Sequence, residues 1–310
     1  MKKTQDANKK IAKQAAENKS MESPWRLAMK RLSRNKLAIA GLIFLGVMIV
    51  LCIVGPIVSP YSDITATDIA NAKQPPSAQH WFGTDENGRD VFTRLLYGGR
   101  ISMTVGLAAT ALQIFIGALL GCTAAYYGGV VDFVIMRVVD VILSLPTMPI
   151  LIMLSAMMSD WKVDTGVRVY YLMVILAAIG WAGTCRYIRG QVLSIREMDY
   201  MSAAESLGIR DLHKIFKHIM PNVIPIIIVT ATLAIGDTII MESTMSYLGV
   251  GVLPPMSSWG QMVSVGTNLM TFKLRPWLWM PAGFCILLTV LAVNLVGDGL
   301  RDAFDPKMKR

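Results

Sequence analysis

Residues 37 to 58 form a run of 22 with no charged side chain, and five further apolar stretches follow it, at about 102–127, 135–158, 169–185, 221–247 and 278–298. No feature restricts the fold more tightly. A stretch of about 20 apolar residues matches the thickness of a bilayer core. Inside that core each backbone N–H and C=O must find its partner within the protein, so only helices and closed barrels can span it. Runs of this length exclude short barrel strands and predict an all-α membrane protein with six spans. Composition agrees: only 16% of the 310 residues are charged, against about a quarter in a soluble domain. The runs differ in quality. The third carries Asp140, Pro146 and Pro149; the fourth is only seventeen residues long, between Arg168 and Arg186; the fifth contains Asp237 and Glu242.

Six spans put both termini on one side, and charge selects the side. Residues 1–36 hold eleven Lys or Arg against three acids. With the N-terminus inside, the cytoplasmic segments hold 22 basic residues and the outer segments 8. The positive-inside rule therefore predicts cytoplasmic N- and C-termini. The chain divides on this reading into a basic tail (1–36), a first span with an external segment (37–100), a core of spans (101–300) containing a cytoplasmic loop (186–221), and a short C-terminal tail (301–310). No aromatic residues interleave the basic tail, which argues against nucleic acid as a partner. Cys52, Cys122, Cys185 and Cys285 are dispersed and read as apolar fillers, with neither disulfide nor metal spacing.

In the external segment, Thr84 or Asp85 is expected to cap a short helix that Gly98 and Gly99 end. The Gly-, Pro- and Ser-rich stretch 248–277 is expected to be reentrant or to lie on the surface.

The cytoplasmic loop is far longer than a connection between two helices requires. Its sequence predicts two short helices meeting at Gly208, which supplies a left-handed corner. Ala203 and Ala204 are small enough to admit another backbone closely. Leu212, Ile215, Phe216 and Ile219 follow helical spacing, and Pro221 suits the first turn of the fifth span. Two readings stand here: an amphipathic run lying on lipid head groups, or a docking site for a cytoplasmic partner.

The charges inside spans are candidates for a pathway or for buried pairing. Asp237 and Glu242 are five residues apart, about 140° around a helix, so they do not form a paired-carboxylate site. Arg137 and Asp140, three apart, are placed to pair on one face. No G-x-x-x-x-G-K-[ST], H-E-x-x-H or G-x-S-x-G sequence occurs, and His80, His213 and His218 are the only histidines. No nucleophile–base or metal-ligand set is present in the sequence. An intramembrane enzyme is disfavoured, as is an ion-coupled secondary transporter using Asp237 and Glu242, since no inverted repeat is evident.

The loop resembles the "EAA" loop of ABC-importer permeases, whose Ala-Ala, Gly and closing Leu-Pro positions match Ala203, Ala204, Gly208 and Met220-Pro221. H-W-F-G-T-D-E-N-G-R-D (80–90), G-G-R-I-S (98–102), S-Y-L-G-V-G-V-L-P-P (246–255), S-W-G (258–260) and N-L-V-G-D-G-L-R-D-A-F-D-P (294–306) are similar to the C-type permease subunit of oligopeptide, dipeptide and nickel importers. The likeness runs from about residue 25 to 306. The family's name-giving glutamate falls at Ser202.

The resemblance implies a type I importer permease fold in a bacterial cell membrane and a non-catalytic subunit that binds no cofactor itself. It implies a second permease subunit completing the pathway, two ATP-binding subunits that hold ATP and Mg, and an extracytoplasmic binding protein that delivers peptide. It assigns ATPase coupling to Ser202, Ala203, Ala204, Glu205, Gly208, Leu212, Ile215, Phe216 and Pro221.

Overall fold

The computed structural model describes residues 24–61 and 63–305; most of the basic tail and the last five residues lie outside these. Helices make up the described chain: α1 (Pro24–Leu32), α2 (Lys36–Val58), α3 (Val91–Tyr127), α4 (Gly129–Ser144), α5 (Thr147–Asp160), α6 (Thr165–Arg196), α7 (Asp199–Ser206), α8 (Asp211–Lys214), α9 (Met220–Tyr247), α10 (Trp259–Ser264), α11 (Leu269–Leu274) and α12 (Met280–Phe304). Among the described residues extended pairing is limited to one bridge between Thr84 and Asp90. Five continuous helical segments, Lys36–Val58, Val91–Tyr127, Thr165–Arg196, Ile215–Tyr247 and Met280–Phe304, are long and apolar enough to cross a membrane. The bent pair α4–α5, with an 83° change of direction, is a sixth where its two arms count as one broken span. Pro146 explains the bend, because a proline ring clashes with the preceding turn and cannot donate to it.

Three expectations need correction. Gly98 and Gly99 do not end a helix; α3 begins at Val91, capped by Asp90 accepting from Thr93 N–H at 2.7 Å, and runs on to Tyr127. The glycines instead make room. A Cβ on Gly99 would stand 2.5 Å from Cys52 Sγ and 2.7 Å from the Trp259 ring. Neither Thr84 nor Asp85 caps a helix: Thr84 is fully buried, and Asp85 closes a turn by accepting from Asn87 and Arg89 N–H. A boundary at residue 100 falls inside α3, and α1, within the expected tail, packs on α12 through Trp25 against Phe304 and Arg31 to the Asp305 carbonyl. Of the two readings of 248–277, burial sets aside the surface-lying one: Ser257, Ser258 and Trp259 are fully buried, with Trp259 Nε1 donating to Leu95 O at 3.0 Å.

Small residues set the helix spacing. Between α3 and α6, a Cβ on Gly121 would lie 2.6 Å from Cys185 O and one on Gly117 would lie 2.7 Å from the Thr184 side chain. Between α2 and α12, a Cβ on Gly41 would stand 2.8 Å from Ala292 O. Lipid is as apolar as leucine, so close backbone approach, and not the hydrophobic effect, holds helices together in a membrane.

Candidate functional site

The loop of interest is shorter than the interval between charged residues suggested. The fourth span does not stop at Arg186; α6 extends to Arg196, and Arg186, Arg189 and Arg196 are part of it. On the far side Pro221 does not start a helix after a break. The backbone passes from α8 through a π turn, Ile215–Ile219, directly into α9. The projecting unit is therefore α7, its corner, and the α8–π segment that continues as a membrane helix.

The corner follows from backbone chemistry. Gly208 has φ +69°. Its N–H reaches Glu205 O at 2.9 Å and the Ile209 N–H reaches Ala204 O at 3.1 Å. These are the two bonds of a Schellman motif, which satisfies the last carbonyls of α7 and needs a left-handed residue at this position.

The two alanines face opposite ways. Ala204 is buried, as is Met201, which belongs to a cluster with Ile195, Ile219 and Val223. Ala203 is exposed, together with Ser202, Glu205, Ser206 and Leu207. Ala204 thus serves close packing within the chain, and the outward face presents short side chains beside Leu207. Ile215 packs against the same inner cluster, Phe216 is exposed, and Pro221 occupies the first turn of α9. Leu212 falls in α8; its side chain lies outside those described.

A contact that sequence reasoning missed ties this unit to α3. The Tyr126 hydroxyl donates to Asp211 Oδ1 at 2.6 Å. Lys214 Nζ approaches the same oxygen at 3.0 Å and lies over the Tyr126 ring. The Tyr126 bond and then the Lys214 bond hold the Asp211 carboxyl below the usual range. The bonds with Tyr126 and then Asp211 push the Lys214 ammonium up. No periodicity joins residue 126 to 211, so only the fold reveals the link.

The intramembrane charges separate into different environments. Arg137 and Asp140 do not pair. Asp140 pairs with Arg186 of α6, while Arg137 lies over the Phe133 ring at 5.1 Å. Asp132, not singled out from sequence, takes Arg189 through both carboxylate oxygens at 2.5 and 2.6 Å. Glu242 is buried and accepts from Ser246 at 2.7 Å and Ser102 at 2.9 Å, tying α9 to α3. Asp237 is exposed on α9 and makes no hydrogen bond or ion pair among the described residues.

Arg168 was expected at the outer surface. It is 2% exposed and holds the loop after α9 against α5. Its guanidinium donates to Gly251 O at 3.2 Å, Val250 O at 3.3 Å and Ser159 Oγ at 2.9 Å. Among the described residues no group of three His, Cys, Asp or Glu is arranged to hold a metal ion.

A bundle of membrane-crossing helices that carries one short helix between two of them defines a multi-pass membrane component. Comparison with known proteins agrees. Residues 113–310 match the family described as "Binding-protein-dependent transport system inner membrane component", and residues 23–76 match the "N-terminal TM domain of oligopeptide transport permease C". The chain is 40% identical to the oligopeptide transport system permease protein OppC of Bacillus subtilis (strain 168) over 294 residues, covering 94% of this chain and 93% of that protein. It is 42% identical to the dipeptide transport system permease protein DppC of the same organism over 285 residues, 91% and 86% of the two chains. It is 37% identical to the oligopeptide transport system permease protein OppC of Haemophilus influenzae over 286 residues, 92% and 89%.

The chain belongs to the family of inner membrane components of binding-protein-dependent transport systems. It is a multi-pass permease with the type I importer fold, and not an enzyme.

Proposed function

We propose that this chain is one of two different permease subunits of an ATP-driven importer, and that its cargo is oligopeptides or dipeptides. Peptide is favoured over a nickel chelate because the relatives that align over nearly the whole chain carry peptide permease names. Two ATP-binding subunits, which hold ATP and Mg, sit beneath it, and an extracytoplasmic binding protein delivers cargo from outside. The N- and C-termini and α7 lie in the cytoplasm, as the excess of basic residues there requires.

The observation that carries this reading is the exposed face of α7. Ser202, Ala203, Glu205, Ser206 and Leu207 point away from the bundle, while Met201 and Ala204 anchor the helix to it. Leu207 is 79% exposed and Phe216 67%. A short helix with an apolar, small-residue face suits a groove in a partner. Because α8 continues through the π turn into α9, a push on this unit is transmitted to a membrane helix as rigid-body motion.

The test uses the complete importer, purified with a tag on an ATPase subunit. Leu207→Asp and Ala203→Trp alter the outer face without touching the buried one. Both are expected to reduce recovery of this chain with the ATPase, and uptake in proteoliposomes, by about tenfold or more. Deleting 199–217 should abolish both. Undiminished recovery and uptake in all three variants would remove the coupling assignment. Recovery with the ATPase intact but binding to lipid vesicles lost would instead favour the lipid-lying helix.

A further inference from the structure

Asp237 and Asn294 are two exposed polar residues within membrane helices, and no partner among the described residues explains either. Asp237 is exposed on α9 and Asn294 is exposed on α12. Neither makes a hydrogen bond or ion pair among the described residues. They sit on adjoining helices at one level: a Cβ on Gly236, the residue before Asp237, would stand 3.4 Å from Asn294 Oδ1. The neighbouring hydroxyl behaves differently, since Thr238 turns inward to Thr110 of α3 at 3.0 Å.

Both residues lie deep in the span. At 1.5 Å per residue, each is about 15 Å or more from the nearer end of its helix, roughly half of a ~30 Å hydrocarbon core. An unpaired carboxylate at that depth does not face lipid; it faces water or a partner. The charge at this level is negative, and it comes from Asp237 alone. The Asp237 carboxylate only accepts, and Asn294 can accept beside it through Oδ1 while its NH2 remains a donor, so the group that complements the charge is a cation that donates hydrogen bonds. Every unblocked peptide carries such a group at its N-terminus.

We propose that Asp237 and Asn294 line the translocation pathway and receive the terminal ammonium of the passing peptide. The proposal rests on the peptide-importer reading and assigns that pathway a contact of its own, separate from selection by the binding protein.

The experiment compares a tripeptide with its N-acetyl form, using the full importer and its binding protein in proteoliposomes. Each uptake rate is divided by that of the unaltered importer with the same peptide, which cancels any preference of the binding protein. Asp237→Asn should lower uptake of the free-amine peptide by about tenfold and of the acetylated peptide by no more than about twofold. Equal losses for both peptides would overturn the proposal and assign Asp237 to a contact with the companion permease. No loss for either would also overturn it.

A second measurement does not depend on transport. Asp237→Cys in the assembled importer should react with a membrane-impermeant thiol reagent, above the background of the native cysteines, in at least one of the nucleotide-free and ATP-trapped states. Absence of labelling in both would place the residue outside any aqueous pathway and end the proposal. If the unaltered importer takes up neither peptide with ATP, the peptide-importer reading itself fails, while the labelling still reports whether Asp237 meets water.

Discussion

Arg168 shows how position in the chain misleads about a single residue. It stands at the edge of an apolar run, where a charged residue ordinarily marks the end of a span. The fold instead buries it and gives its donors to the Val250 and Gly251 carbonyls and to Ser155 and Ser159. The Val250 carbonyl keeps a bond from Ser155 Oγ, but removing the guanidinium leaves the buried Gly251 carbonyl without its donor. Arg168→Leu is expected to destabilise the purified protein by about 2–4 kcal/mol, read as a lowered thermal midpoint in detergent. An unchanged midpoint would mean that water replaces the guanidinium. At the other end of the bundle, Asp211 and Lys214 predict a pH signature. The Asp211 carboxyl is held down, so its contribution is present above the ordinary carboxylate range and is lost as pH falls through the lowered value. Lys214 is held up, so its contribution is present below the ordinary lysine range and is lost as pH rises through the raised value. Tyr126 heads the causes of both shifts. In Tyr126→Phe the Asp211 titration should move up towards the ordinary range, measured by NMR of the labelled carboxyl in detergent. An unmoved midpoint would show that the hydroxyl contact is not made in solution.

At the scale of elements, the corner after α7 and the break in the third span were both legible from local chemistry. Gly208 is needed because the Schellman turn puts its backbone in the left-handed region, where a Cβ costs about 1–2 kcal/mol. Gly208→Val should therefore lower ATPase association and uptake several-fold, whereas Gly208→Asn, which tolerates that conformation, should retain most of both. Equal effects of the two would point to the missing side chain, not the backbone, as the reason for glycine. Pro146 likewise announced a break, though not an 83° change of direction. Helix ends were read less well. Gly98 and Gly99 resemble a terminator in sequence, yet inside α3 they face Ser257 and Ser258 of the buried loop, Cys52 and Trp259. Arg186 resembles a span end, yet α6 continues to Arg196, with Asp140 and Asp132 of α4 neutralising Arg186 and Arg189. A glycine's role, and a charged residue's tolerance within a helix, depend on what packs against them.

For the molecule as a whole, an even number of spans and the uneven distribution of basic residues predict one orientation. Reporter fusions check it directly. A fusion active only in the cytoplasm, placed after Arg310, is expected to be active, and one inserted between Ala72 and Lys73 in the external segment is expected to be silent. The reverse pattern would invert the topology and remove α7 from the reach of any cytoplasmic ATPase. The bundle also leaves α4 largely uncovered, with Phe133 61% and Val130 78% exposed. Such a surface accords with a subunit that is completed by others.

The order of spans, the predicted orientation and the site of the projecting loop are written in the chain, because hydropathy, charge bias and glycine stereochemistry act over a few residues and need no partner. Tertiary structure alone decided which of two adjacent alanines faces outward and that Asp140 takes Arg186 instead of Arg137. It alone placed Glu242 among serines and left Asp237 and Asn294 open. Those outcomes depend on contacts between residues far apart in sequence, where the rotation of each helix determines whether a charge is paired, buried or left exposed.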